Sequence, residues 1–362
     1  MKREESWLYL EDGTEIKGLS FGSHTEKQGD VVFTTVMNGY PESFTDPSYK
    51  GQMLVMSHPL VGNYGVPRES YKNGILENLE SEHVTIEGLI VTEVTDGGKW
   101  NKGRSLDDWL KENNVPGIAG IDTRFLIKKI RENGVLRGII SNDRLDAEDR
   151  FEEVYEKTNF VEKVSVKKPI EYAGKTDDKI VVLDLGVKHG ILQNLSERGY
   201  TIVRVPYDYT AEKIMDYDPK GIVYSNGPGD PHLLKKQITE LNEVMKYEVP
   251  ILGICLGHQL ITLALGGIVK RMKYGHRATN KAVVETGKGR AYITTHNHGY
   301  ASYSEDVPKD VEIWFKSPDD GVIEGLRTKN VITTQFHPEA RPGPKDAEFV
   351  FDVFDKMIKN EG

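Results

Sequence analysis

Cys255 is the only cysteine in 362 residues, and it stands in Gly253-Ile254-Cys255-Leu256-Gly257 at the end of an apolar run. That is the spacing of a nucleophile elbow, G-x-[nucleophile]-x-G. The reason for the glycines is steric. A nucleophile raised on a sharp strand-to-helix turn needs very small residues two places before and two after it. A helix-like run, LGHQLITLALGG (256–267), follows, so the thiol would face the positive end of a helix dipole, which favours thiolate. The spacing equally accommodates a buried structural thiol, since free cysteine is among the most buried residue types.

A thiolate needs a group to manage protons. His337 lies in Gln335-Phe336-His337-Pro338-Glu339, directly after the strand-like VITTQF, and Pro338 keeps the chain from continuing as a helix. Glu339 can reach the His337 ring only through a local turn; if it does, the cysteine attacks, the histidine moves protons and the carboxylate fixes the tautomer. A surface His-Pro-Glu turn is the plainer alternative. The loop Ser225-Asn226-Gly227-Pro228-Gly229-Asp230-Pro231 follows another strand. It lacks both the P-loop and the G-x-G-x-x-G spacing, whereas the N–H of Gly227, with that of Leu256, suits an oxyanion hole. His296 and His298, two apart in THNHGY with His276 upstream, invite a metal reading, but no third ligand at a recognisable spacing and no H-E-x-x-H accompany the pair. No metal is expected on this reading.

These residues need elements to hold them. In the second half KIVVLDL (179–185), TIVRVP (201–206), GIVYSN (221–226) and PILGI (250–254) read as buried strands. HGILQNLSERG (189–199) and HLLKKQITELNEVMKYE (232–248) read as helices between them. This alternation predicts βαβ units on a largely parallel sheet flanked by helices, with functional groups at the strand carboxyl ends. AVVET, AYITT, VEIWFK and VITTQF add later strands, some antiparallel. The first half predicts a β-rich α/β domain: WLYLEDGTEIKG (7–18) turns like a hairpin, VVFTTV and GQMLVMS are strand candidates, and only DTRFLIKKIRENG (122–134) reads as helix. The expected division is a first domain over 1–145, a Lys/Glu-rich linker over 146–178 and a second domain over 179–362.

The length predicts two domains. One cysteine permits no internal disulfide, and the start MKREESWLYLEDG carries no apolar h-region, which together suggest a cytoplasmic protein. The longest apolar stretch, 249–269, contains His258, Gln259 and several glycines, so a strand and helix is expected rather than a membrane span. A formal charge of −9 argues against a general nucleic-acid binder.

In combination, GICLGHQL around Cys255, SNGPGDP and FHPE resemble the class I triad glutamine amidotransferases in order and spacing. Residues 31–49 (VVFTTVMNGYPESFTDPSY), HPLVGNYGV (58–66), EGLIV (87–91) and GIDTR (120–124) resemble the N-terminal domain of carbamoyl-phosphate synthase small subunits. The likeness covers nearly the whole chain. One stretch departs from it: after Tyr274-Gly275-His276 the family continues with glycine and Asn-His-Pro-Val, whereas Arg277-Ala278-Thr279-Asn280-Lys281-Ala282-Val283 stands here.

The resemblance implies that Cys255 forms a γ-glutamyl thioester with glutamine, that His337 protonates the departing ammonia and then activates water, and that Glu339 holds His337. It implies glutamine binding by Ser48, Gly227, Gly229, Leu256, Gln259, Asn297, Gly299 and Tyr300, in a pocket where the two domains meet. It also implies no cofactor on this chain: ATP and Mg²⁺ are expected on a large subunit, the partner in a hetero-oligomer, reached by ammonia through a sealed path. Three alternatives remain at this point: the glutaminase of another synthase, a regulatory module with a dead site, and a free-standing cysteine hydrolase. The likeness of the first half argues against the first and the last, and the presence of all three triad residue types weighs against the second.

Overall fold

The computed structural model describes residues 3–95, 103–144, 151 and 157–360. The chain forms two compact units, Met1–Ser70 with Ser81–Thr158, and Tyr71–Glu80 with Asn159–Gly362.

The first unit is built on a closed barrel of seven strands: β1 (Glu5–Leu10), β2 (Glu15–Gly22), β3 (Lys27–Thr34), β4 (Gln52–Met56), β7 (Gly88–Ile90), β8 (Pro116–Ala119) and β9 (Leu136–Ser141), in the order β1-β2-β8-β7-β4-β3-β9. β5 (Tyr71–Lys72) and β6 (Ile75–Leu76) form a hairpin that belongs to the second unit. Closure removes the exposed sheet edges that a small β-domain would otherwise present. Helix α1 (Tyr40–Phe44) precedes a 3-10 turn, Pro47–Tyr49, that carries Ser48. Sequence pattern alone leaves α2 (Leu106–Glu112) unassigned, although Ser105 caps it by accepting the N–H of Asp108. The expected helix at 122–134 is α3 (Thr123–Asn133), capped by Asp122, which accepts from Phe125 N–H, and ended by Gly134 at φ 97°. Leu126 and Ile130 are its buried stripe.

The second unit is a ten-stranded sheet, ordered β10-β12-β11-β13-β14-β19-β18-β17-β15-β16. Its elements are α4 (Phe160–Val164), β10 (Ile170–Tyr172), β11 (Lys179–Asp184), α5 (His189–Glu197), β12 (Thr201–Pro206), α6 (Ala211–Met215), β13 (Gly221–Tyr224), α7 (Lys235–Met245), β14 (Ile251–Ile254), α8 (Leu256–Ala264), β15 (Lys270–Glu285), β16 (Ala291–Ala301), β17 (Glu312–Lys316), β18 (Ile323–Arg327), β19 (Val331–Thr334) and α9 (Phe349–Lys359). β12, β11, β13, β14 and β19 are mutually parallel, and the remaining strands extend them antiparallel on both sides. Part of the stretch expected as a linker is therefore regular structure, because α4 and the edge strand β10 lie within 146–178; positions 146–150 and 152–156 fall outside the described residues.

The central strands read as continuous apolar runs because both faces are covered. Ile180 and Val182 of β11 pack with Ile191 and Leu195 of α5 and Phe351 and Phe354 of α9. Val181 and Leu183, the alternate residues, pack on the other face with Ile214 of α6, Leu241 of α7 and Leu260 of α8. Period-two alternation in one strand thus buries two helix layers at once. The β5–β6 hairpin fixes itself to α5, where Gln193 Nε2 donates to Leu76 O at 2.7 Å and Ile75 joins the apolar cluster.

Candidate active site

Cys255 caps the passage from β14 into α8 with φ 52° and ψ −99°, a combination costly for any residue with a Cβ. The flanking glycines answer to that geometry. A Cβ on Gly257 would lie 2.0 Å from the Tyr224 carbonyl oxygen, and one on Gly253 would lie 2.4 Å from Ile261 Cδ1 and 3.0 Å from the Gly257 backbone. The turn is pinned by Cys255 N–H donating to Thr334 O (2.8 Å) and Gly257 N–H to Ser225 O (3.0 Å). The thiol is buried, and its Sγ donates to the Asn297 carbonyl at 3.6 Å.

His337 follows β19, the neighbour of β14, so the strand pairing brings His337 and Cys255 together although 82 positions separate them. Its N–H donates to Thr295 O, which ties it to β16. The turn at Pro338 folds Glu339 back, and His337 Nδ1 meets Glu339 Oε1 at 2.8 Å, both side chains fully buried. Among the described residues Nε2 of His337 has no hydrogen-bond partner. Burial alone would push the His337 imidazolium toward deprotonation; the Glu339 carboxylate and the Cys255 side chain overcome it and raise its pKa to about 10. Glu339, despite burial, is held well below the usual carboxylate range by Lys188 and His337.

Lys188 is the residue that motif reasoning misses. It is buried on the loop after β11, with Nζ 2.8 Å from Glu339 Oε1 and a second bond to the Arg341 carbonyl. Arg341 in turn pairs with Glu80 at 2.8 Å, whose other oxygen accepts from Gly190 N–H at 3.0 Å. The available signal is a lysine inside an apolar strand-end, LDLGVKHG, where a charge must find a partner.

Gly227 and Leu256 lie at the carboxyl ends of β13 and β14, and among the described residues no protein acceptor takes either N–H. Gly227 admits no side chain, since a Cβ would lie 2.1 Å from Leu185 O; Gly229 has φ 93°. Gln259 Nε2 donates to Tyr300 O (3.2 Å) and Gln335 Oε1 (3.1 Å), joining α8 to the end of β16 that carries Asn297, Gly299 and Tyr300. Ser48 belongs to the first unit, where its N–H donates to Asp46 Oδ1. His258 stands apart from the chemistry: it is fully buried in α8, bonded to Thr333 Oγ1 at 2.8 Å, and burial pushes its pKa down to about 3.

Residues 276–283 are part of the long strand β15, and His276 sits directly opposite His298 of β16. His296 lies two places along the same strand, and Glu324 of β18 supplies the further group that sequence spacing does not reveal.

The comparisons with known proteins bear on both units. Residues 8–140 match the family described as carbamoyl-phosphate synthase small chain, CPSase domain, and 181–357 match glutamine amidotransferase class-I. The carbamoyl phosphate synthase small chain of Sulfolobus acidocaldarius is 54% identical over 97% of this chain and 96% of its own length. The chain belongs to the carbamoyl-phosphate synthase small-chain family. The small chains of Saccharolobus solfataricus (55%; 99% of each chain) and Pyrococcus furiosus (45%; 98% of each chain) are similar over the same extent. As a small chain it carries the glutamine amidotransferase class-I domain in its second unit, and the likeness of the first half to such subunits is accounted for. No helix among the described residues is long and apolar enough to cross a membrane.

Proposed function

We propose that this small chain hydrolyses L-glutamine at Cys255 and passes the ammonia to a large subunit that makes carbamoyl phosphate from bicarbonate and ATP. The observation that carries the proposal is the buried pairing of His337 Nδ1 with Glu339 Oε1, beside a cysteine held in a strained elbow.

The Cys255 sulfur attacks the side-chain amide carbon of glutamine, and the tetrahedral oxyanion takes the N–H groups of Gly227 and Leu256. One such donor is worth ~3 kcal/mol. His337 delivers its Nε2 proton to the nitrogen as the C–N bond breaks and ammonia leaves, which gives a γ-glutamyl thioester. Water then attacks the thioester carbon, His337 takes its proton, the C–S bond breaks, and glutamate departs with the thiolate restored. Glu339 keeps the imidazole oriented and stabilises its protonated form in both halves. Ser48, Gly229, Gln259, Asn297, Gly299 and Tyr300 are the further glutamine-binding positions. Nucleotide and Mg²⁺ chemistry belongs to the large subunit, and the small chain alone is a weak glutaminase.

Hydroxylamine tests the covalent step. Added with glutamine to the complex, it should divert the thioester to γ-glutamyl hydroxamate, and the Cys255→Ser variant should form none. Hydroxamate produced at the normal rate by that variant overturns the proposal.

A further inference from the structure

His276, His296, His298 and Glu324 are all buried, and one ligating atom from each lies within 4.8 Å of the others. Three strands bring them together, β15, β16 and β18, from positions up to 48 apart in sequence. Their hydrogen bonds fix which ring nitrogens face inward. His298 Nδ1 lies 2.8 Å from the Tyr300 carbonyl, which can only accept, so Nδ1 carries the proton and Nε2 presents a lone pair. Thr294 Oγ1 donates to Lys281 O and must therefore accept from His296 Nε2 at 2.7 Å, leaving a lone pair on His296 Nδ1. His276 Nε2 meets the Asp320 carboxylate at 2.8 Å, closer than the 3.4 Å to Lys281 Nζ, and among the described residues its Nδ1 has no hydrogen-bond partner.

The inward histidine nitrogens are consequently acceptors. His296 Nδ1 is 3.4 Å from His298 Nε2 and 3.6 Å from Glu324 Oε2, and His276 Nδ1 is 4.0 Å from Glu324 Oε1. Among the described residues neither carboxyl oxygen of Glu324 has a hydrogen-bond partner. Buried lone-pair groups converging this closely repel one another and leave their desolvation uncompensated. A cation at the centre removes both costs. Tetrahedral zinc with bonds of about 2.0–2.1 Å separates its ligands by roughly 3.4 Å, which these atoms reach with small side-chain shifts. The outward nitrogens already hold the carbonyl, carboxylate and hydroxyl contacts that orient metal-bound histidines.

We propose that His276, His296, His298 and Glu324 form a structural binding site for a divalent transition-metal ion, zinc by donor set and geometry. All four coordination positions are filled by protein, so the site has no open position for catalysis. It clips β15, β16 and β18 together and steadies the strand whose Asn297 carbonyl faces the Cys255 sulfur. Mechanistically it is independent of glutamine hydrolysis.

The test uses the full-length chain, stripped with a chelator and titrated with Zn²⁺ and, separately, Co²⁺. The expected result is one tightly bound ion per chain, an intense tetrahedral Co²⁺ visible spectrum, and X-ray absorption showing nitrogen and oxygen ligands without sulfur. His296→Gln should weaken binding by roughly 100-fold or more, and Thr294→Val, which removes the hydroxyl that orients His296 and bonds the Lys281 carbonyl, by about 10–100-fold. His232→Gln, at a half-exposed site elsewhere, should change nothing. The absorption spectrum of the unaltered chain decides the matter if a variant fails to fold. Absence of stoichiometric binding, or a sulfur ligand from Cys255, overturns the proposal.

Discussion

Lys188 and His337 converge on a single atom: each places a nitrogen 2.8 Å from Oε1 of Glu339, in a region closed to solvent. The carboxylate thus answers two groups, the fixed charge of Lys188 and an imidazole that, in the proposed mechanism, gains and loses its proton in each cycle. Replacing Lys188 by Met removes the fixed partner and leaves Glu339 dependent on His337. Breaking a buried pair in this way costs on the order of 3 kcal/mol. The denaturation midpoint of Lys188→Met should fall accordingly, with glutamine hydrolysis impaired; an unchanged midpoint would show that the pair is not coupled to the fold.

The two elbow glycines should differ in tolerance. At Gly257 the obstruction is the Tyr224 backbone carbonyl at 2.0 Å, whereas at Gly253 the nearest atom is the tip of the Ile261 side chain at 2.4 Å. Gly257→Ala should therefore cost upward of about 4 kcal/mol or prevent folding. Gly253→Ala should cost about 1–3 kcal/mol as Ile261 shifts. Urea unfolding of the two variants measures the order, and the reverse order contradicts the steric account.

Cys255 pays a backbone cost at φ 52°, ψ −99° that glycine would escape. Cys255→Gly should be more stable than Cys255→Ala by about 1 kcal/mol or more, although both lack the proposed nucleophile. Equal melting curves would show that the elbow holds no strain.

The coupled pair sets a pH signature. His337 rises from an ordinary 6.5 to about 10 on folding, so its contribution is full below about pH 6.5 and is lost as pH climbs through about 10. Glu339 is depressed from 4.5, so its contribution is present above that value and is lost on acidification. Stability should decline from neutral pH toward pH 10, and His337→Asn should flatten part of that decline. A parallel decline in variant and parent would remove His337 from the linkage.

What the sequence discloses follows the range of the forces involved. The elbow is legible because its steric demand acts over five consecutive residues, and the central strands because burial on both faces leaves an apolar run. Helix α3 is legible through its stripe and caps. Lys188 is not, since its partner lies 151 positions away. Glu324 is hidden for the same reason: β18 brings it to histidines of β15 and β16 only once the antiparallel extension has formed. The hairpin at Tyr71–Leu76 joins the second unit through contacts with α5, a pairing that no local pattern encodes. His258, so close to Cys255 in sequence, is placed by helix geometry against Thr333.

The most direct test of the account pairs the chain with its large subunit and compares two nitrogen sources. Cys255→Ser should abolish carbamoyl phosphate formation from glutamine while formation from ammonia continues at the parental rate. Glutamine-dependent synthesis surviving in that variant would contradict the assignment of Cys255 as the nucleophile.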